Sequence, residues 1–267
     1  VTTGSPGSPP GAVIGADRLA GREVEEVPEG LYLRLRDRER SVPGLVLGIT
    51  TAPAGDFGVS ARDDDMLRTV YADLAGGLGF TAVAVPRQVH GTDVRRIRAP
   101  RLPGPDGRPV VRLAGRVDGL VTSGSGILLV STAADCVPVY MLDAARRVVG
   151  LAHAGWRGVA AGVLTRALES MRAAGADPTG ISVHLGPAIC GACYEVDAPV
   201  LRALGAPGER ERLDLRGLLV DQALAAGVVA VTVSTHCTRC GSAELHSHRG
   251  TGGQAGRMAA FIGIRKG

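Results

Sequence analysis

A chain of 267 residues is long enough to bury a large core, and 45% hydrophobic against 21% charged residues makes it globular rather than disordered. Aromatic residues at 3% exclude a stacking surface for extended nucleic acid. The net charge of +4 is carried by arginines spread along the chain, with Lys266 the single lysine, which excludes the concentrated basic face of a nucleic-acid binder.

No apolar stretch approaches the ~20 residues of a membrane span, so no membrane role is expected. The opening segment VTTGSPGSPPG has neither the basic start nor the apolar run of a secretory signal. Residues 1–11 are therefore expected to be a disordered tail, residues 12–267 one domain, and the compartment the cytoplasm. Five cysteines, an odd number, fit reduced thiols or metal ligands better than a disulfide framework.

In chain order, residues 31–36 alternate apolar with polar and predict a half-exposed strand, and residues 45–50 a more buried one. Residues 63–74 open on three aspartates and carry apolar positions at helical spacing, which predicts a helix closed by Gly76 and Gly77. Residues 81–85 predict a strand leading into PRQVHG, which puts His90 just past a strand and before a glycine. The seven arginines between Arg95 and Arg116 are the place to look for an anionic partner, although the prolines and glycines among them read as a solvated surface loop.

Residues 117–122 and 127–132 predict strands around the SGSG turn, the second delivering Asp135 and Cys136. Residues 136–142 and 148–152 are apolar runs flanking a charged turn, which predicts a β-hairpin. Antiparallel pairing would bring Cys136, at the start of the first run, beside His153, just beyond the second. Residues 158–174 predict a helix, 181–185 a strand, 214–226 an amino-capped helix, and 228–234 and 257–264 two further strands. Strands outnumber helices without strict alternation, which favours an α+β architecture with sheets packed on each other.

Three residues at predicted strand ends, His90, Cys136 and His153, form a donor set suited to zinc, with a fourth position open as catalytic zinc requires. Their intervals match no short finger motif, so the fold would have to assemble them. Each residue alone also reads as an ordinary buried thiol or imidazole. A second constellation pairs Cys190-Gly-Ala-Cys193 with Cys237-Thr-Arg-Cys240, two C-x-x-C turns that present a structural zinc site, reduced thiols or a labile disulfide. His236, His246 and His248 lie near that pair as substitute ligands, pocket lining or solvated loop residues.

The segments QVHG (88–91), ADCVPV (134–139), HAGWRG (153–158), LGPAIC…YEV (185–196), SHR (247–249) and GRMAA (256–260) closely resemble the YfiH/YlmD family, long labelled laccase-domain or multicopper polyphenol oxidase proteins. The resemblance runs from about residue 45 to the end. It implies an α+β fold of layered α/β/β/α type, mixed sheets flanked by helices, akin to the catalytic domain of a bacterial cytotoxic necrotising factor. It also implies a zinc site at His90, Cys136 and His153, with copper as the family's other associated metal. The implied substrates are purine nucleosides and phosphate: phosphorolysis of adenosine, inosine and methylthioadenosine, and hydrolytic deamination of adenosine.

Electron transfer through several coppers would call for many more histidines than the six present. Asp135, beside Cys136, is either the group that moves a proton or a hydrogen-bonding residue that orients the site. Arg157, Arg249 and Arg257 are candidates to hold phosphate, and Trp156 either stacks on a base or packs. Where the family has a Thr-Thr-Arg-Gly-Gly-like segment, this chain has Thr50-Thr51-Ala52-Pro53, so an arginine is absent; if that arginine helps to hold phosphate, phosphorolysis is the activity most weakened. Two other readings remain: a metal-free Cys-His hydrolase or amidase with Cys136 as nucleophile, and a non-catalytic binding protein stabilised by zinc at the four cysteines.

Overall fold

The computed structural model describes residues 13–59, 63–98, 104, 107–241 and 244–267; the expected tail at 1–11 lies outside the described residues. In chain order come β1 (Glu23–Val24), β2 (Val27–Glu29), β3 (Tyr32–Arg34), α1 (Arg36–Ser41) and β4 (Leu45–Thr50). Then follow α2 (Asp64–Gly77), β5 (Ala82–Val85), β6 (Val94–Arg96), β7 (Val110–Leu113) and β8 (Gly119–Thr122). The central stretch is β9 (Ile127–Ala133), β10 (Val137–Asp143), β11 (Val148–Ala154), α3 (Trp156–Ala160) and α4 (Val163–Ala173). The remainder is β12 (Ile181–Leu185), β13 (Glu195–Asp197), α5 (Ala198–Ala203), β14 (Arg210–Arg212), α6 (Leu215–Ala225), β15 (Ala230–Ser234) and β16 (Met258–Ile264).

Two seven-stranded mixed sheets form the body. Sheet one runs β1-β15-β12-β10-β11-β8-β6, and sheet two runs β2-β3-β4-β16-β9-β5-β7. Side chains alternate between two cores along the central strands. On β10, Tyr140 and Leu142 face the layer between the sheets, whereas Val137, Val139 and Met141 face α4 and α6. On β16, Ala260 and Ile262 enter the same middle layer while Ala259 and Phe261 meet Leu67 and Tyr71 of α2. Strands buried on both faces explain why these runs are continuously apolar. The result is the expected α/β/β/α layering.

Local signals set most element ends. Asp63 caps α2 by accepting the Met66 N–H, and Asp214 caps α6 through the Arg216 N–H. The expected single helix over 158–174 is two, because Gly162 adopts a left-handed φ of 83° and breaks α3 from α4. The predicted hairpin forms, with Val137 opposite Ala154 and Pro138 opposite His153.

The strands around the SGSG turn do not pair with each other. β8 lies in sheet one and β9 in sheet two, so the chain crosses between layers there and crosses back through residues 134–136 into β10. Asp135 makes that second crossing in the left-handed region, φ 85°. Cys136 therefore sits where one sheet hands the chain to the other.

Candidate active site

Three strand ends converge at that crossing. Beyond β5, Gln88 acts as a strand partner: its Oε1 accepts from the Thr132 N–H and hydroxyl at 2.8 Å each, and its Nε2 donates to the Thr132 carbonyl at 2.7 Å. This anchors the following loop to β9. His90, two residues on, turns back with a φ of 59°. The turn aims the N–H groups of Val89, His90 and Gly91 at the buried Asp118 carboxylate, at 3.1, 2.9 and 2.8 Å.

The same carboxylate accepts from His153 Nδ1 at 3.1 Å, and the Asp118 carbonyl accepts the His153 N–H at 2.7 Å. An imidazole that donates from Nδ1 presents the Nε2 lone pair, the arrangement found behind metal-bound histidines. Asp118 is thus a residue that sequence reasoning missed. Its signal was a carboxylate inside a stretch otherwise read as an apolar strand.

The donor atoms of His90, Cys136 and His153 all lie within 4.8 Å of one another. Cys136 Sγ is 4.0 Å from His90 Nε2, and the two imidazoles meet edge to face at 4.8 Å. Gly155 of the HAGWRG segment is required by space, since a Cβ there would come within 2.8 Å of His90 Cδ2 and 3.0 Å of Cys136 Sγ. His153 is buried, Cys136 half-buried and His90 exposed, so the set opens on one side. Two imidazoles and one thiolate at this spacing, one imidazole braced by a carboxylate, fit a zinc ion with a position left for a reactant.

Without metal, the charges of this group support each other. Burial pushes the Cys136 thiol up, but the adjacent imidazolium of His153 and then His90 overcome it and bring it down to about 6. Burial likewise disfavours the charged form of His153, but the Cys136 thiolate and Asp118 raise it to about 9. Asp118 is held below the usual carboxylate range: burial opposes this, and the hydrogen bonds from His153 and Gly91 outweigh it.

A cleft of about 470 Å³ opens over the three donors, its walls including Arg87, Arg116, Thr132, His248 and Arg257. Arg257 is thus one of the cleft walls, and its backbone N–H is anchored by Asp56 Oδ1 at 2.7 Å. Arg116 closes the arginine-rich run noted in the sequence, whereas Arg87 was not singled out by it.

Trp156, Arg157 and Arg249 lie outside this lining. Trp156 packs on the helical side of sheet one with Arg157 stacked on its ring at 4.2 Å, while Arg249 lies 5.2 Å over Tyr194 and donates to the Glu195 carbonyl. The Tyr194 phenol is pushed up to about 12, by burial first and then by the Cys136 thiolate, with Arg249 and Arg157 pulling the other way. Both arginines and the sulfur thus act on the same phenol.

Asp135 has its carboxylate committed. Oδ1 accepts from the Thr238 and Ser247 hydroxyls at 2.6 and 2.7 Å, and Oδ2 accepts from the Arg249 N–H at 2.6 Å. All three donors come from segments that fold over the turn bearing Cys136. Ala52 begins a short 3-10 turn whose N–H donates to the Glu244 carbonyl, and it is not among the cleft walls.

Of the remaining histidines, His248 lines the cleft, His246 lies 3.4 Å from the Gly55 carbonyl and His236 3.3 Å from the Glu26 carbonyl. A larger cleft of about 680 Å³ gathers Arg95, Arg96, Arg98 and Arg116 of the arginine-rich run and contains none of the three donors.

The two C-x-x-C turns also meet: the sulfurs of Cys190, Cys193, Cys237 and Cys240 lie within 4.8 Å of one another. Cys237 is lowered to about 7, where burial is opposed by N–H groups of Cys240, Cys190 and Arg239. Cys190 and Cys193 are raised, by burial first and then by the thiols around them.

Residues 47–265 match the family described as multi-copper polyphenol oxidoreductase laccase. The chain is similar to a purine nucleoside phosphorylase of Deinococcus radiodurans, 36% identical over 230 residues covering 81% of this chain and 85% of that protein. Similarity to the purine nucleoside phosphorylase YlmD of Geobacillus stearothermophilus is 38% identity over 261 residues, 84% of this chain and 91% of that one. A crystal structure of YlmD from that organism superposes with a TM-score of 0.76 at 33% identity, covering 90% of this chain and 99% of the other. An adenosine deaminase, RL5, from an unknown prokaryotic organism is 33% identical over 266 residues, 88% of this chain and 98% of that one.

Proposed function

This chain belongs to the multi-copper polyphenol oxidoreductase laccase family, and on that premise we propose that it is a zinc-dependent purine nucleoside enzyme. The reactions proposed are phosphorolysis of adenosine, inosine and methylthioadenosine and hydrolytic deamination of adenosine. Relatives named purine nucleoside phosphorylase and adenosine deaminase support an enzyme of this substrate class. The observation that carries the zinc reading is the meeting of His90, Cys136 and His153 within 4.8 Å under an arginine-walled cleft.

When bound, zinc supplies Lewis acidity and can lower the pKa of water to about 7, the chemistry that attack on the six-position of adenine needs. The chain's own residues do the rest. Asp118 fixes the orientation of His153 and the loop bearing His90. Arg87, Arg116 and Arg257 line the cleft and are assigned the binding of phosphate, so the cleft has cationic partners for it without an arginine at position 52. His248 is the imidazole in the cleft wall outside the ligand set and is assigned the proton transfer to the leaving purine or amine. Asp135 keeps the Cys136 peptide in place.

A nucleoside panel with zinc-loaded protein tests this. Adenosine should give adenine and a sugar phosphate only when phosphate is present, and inosine with or without it. Absence of turnover on every nucleoside would sink the reading. The lowered Cys136 thiol beside His153 favours a second one, a metal-free Cys-His hydrolase. Covalent labelling of Cys136 by an acylating analogue in chelator-treated, active protein would select it.

A further inference from the structure

The four-thiol cluster takes no part in the chemistry proposed for the cleft. We propose that Cys190, Cys193, Cys237 and Cys240 bind a second zinc ion as four thiolates, in a closed site that clamps two turns together and holds Asp135, and through it Cys136, in position.

The spacing fits a tetrahedral ion. Cys190 Sγ and Cys240 Sγ are 3.8 Å apart, which matches the edge of about 3.8 Å in a tetrahedron with zinc–sulfur bonds of about 2.3 Å. A disulfide would need about 2.0 Å. Each C-x-x-C segment closes as a turn, Cys193 N donating to the Cys190 carbonyl at 3.0 Å and Gly241 N to the Cys237 carbonyl at 3.1 Å. A side chain at Gly241 would put its Cβ 2.8 Å from the Cys237 carbonyl, so the second turn demands glycine.

Backbone donors are already aimed at sulfur. Cys237 Sγ accepts N–H groups from Cys190, Arg239 and Cys240 at 3.3, 3.4 and 3.5 Å, one from the opposite turn and two from its own. Thiolates need such donors when one cation must balance four of them. Arg239 adds positive charge at the site, its Nη1 reaching the Cys193 carbonyl at 3.0 Å. Four thiolates gathered this closely are the donor set of closed structural zinc sites and leave no position for a substrate.

Besides the Cys190 N–H to Cys237 Sγ and Arg239 to Cys193 bonds, the two segments are joined by an isolated bridge between Ala188 and Cys237 and by the Thr238 N–H to the Ala188 carbonyl at 3.1 Å. Each sends one hydrogen bond to Asp135: Ile189 N to its carbonyl at 3.1 Å, and Thr238 Oγ1 to its carboxylate at 2.6 Å. An ion joining the turns therefore stiffens the left-handed residue that precedes Cys136.

Elemental analysis of the full chain tests the site without reference to activity. Cys136→Ala should keep one zinc per chain whether or not the nucleoside reading holds, and Cys193→Ser with Cys240→Ser should hold one zinc fewer than the unaltered protein. Cobalt substitution should give sulfur-to-metal charge-transfer absorption that persists in Cys136→Ala and mostly disappears in the double variant. If the double variant does not fold, the Cys136→Ala protein decides by native mass spectrometry. One zinc with the four remaining thiols reduced supports the proposal; no metal, a disulfide among those thiols, or iron in place of zinc overturns it.

Discussion

The two sulfur-bearing clusters show how the same element is put to opposite uses by its surroundings. Around Cys136 the donors are mixed, two at the ends of seven-residue strands and one on a loop pinned to β9, with a buried carboxylate behind them, and one side opens into a cleft. Around Cys237 the donors are all thiols, stand on two short turns and are met by backbone N–H groups. Imidazolium charge lowers the first thiol to about 6, whereas backbone dipoles bring the second to about 7. A reactive site needs an unfilled position on a rigid frame; a clamp needs every position filled. Asp135 touches both regions, which makes the contrast testable.

The largest expected effect comes from removing a donor on the open side. His153→Ala should reduce nucleoside turnover by about a thousandfold or more and release zinc from the cleft, while the four-thiol cluster keeps its metal. Equal loss at both sites, read by elemental analysis, would erase the distinction.

Next in size is Asp118→Asn, which keeps the shape but removes the charge facing His153 Nδ1 and three loop N–H groups. Competition with a chelator should report zinc affinity in the cleft lowered about 10- to 100-fold.

In metal-free protein the thiols should separate by pH. The His153 imidazolium keeps Cys136 as thiolate down to about pH 6, below which the thiol protonates, and the pair persists until His153 loses its proton near pH 9. A folded-state thiol below its usual value contributes stability that fades as pH falls through 6, and the raised histidine contributes stability that fades as pH rises through 9. Alkylation of Cys136, mapped by peptide mass, should therefore show a midpoint near 6. A midpoint near the ordinary 9.0 would remove the electrostatic half of the contrast.

A smaller effect is expected from Thr238→Val, which deletes one of the bonds joining the regions at Asp135. Loss of a hydrogen bond to a buried carboxylate should cost about 1.5–3 kcal/mol in denaturant unfolding and lower turnover without changing zinc content. Ala52→Arg should do least. Because Ala52 is outside the cleft lining and Arg87, Arg116 and Arg257 are inside it, the ratio of phosphorolysis to deamination should move by no more than about twofold.

Much of this was readable in the amino-acid order wherever the interaction was local. The 136–154 hairpin follows from two apolar runs about a charged turn, and pairing alone brings Cys136 beside His153. Asp63 and Asp214 announce their helices, and each C-x-x-C turn closes within four or five residues. The resemblance motifs mark Gly155 and Gln88, whose reasons are steric and hydrogen-bonding contacts at the site.

Tertiary structure alone decided the rest, because the partners are distant in the chain and carry no mutual pattern. His90 reaches Cys136 because β5 pairs with β9 and Gln88 extends that pairing. Asp118 serves His153 because β8 leaves β9 for the other sheet, a choice the SGSG turn between them does not encode. Asp135 is committed because segments 238, 247 and 249 fold over it. Apolar alternation dictates which residues are buried, but many sheet orders satisfy the same alternation, and only simultaneous packing of both sheets selects the one that brings these side chains together.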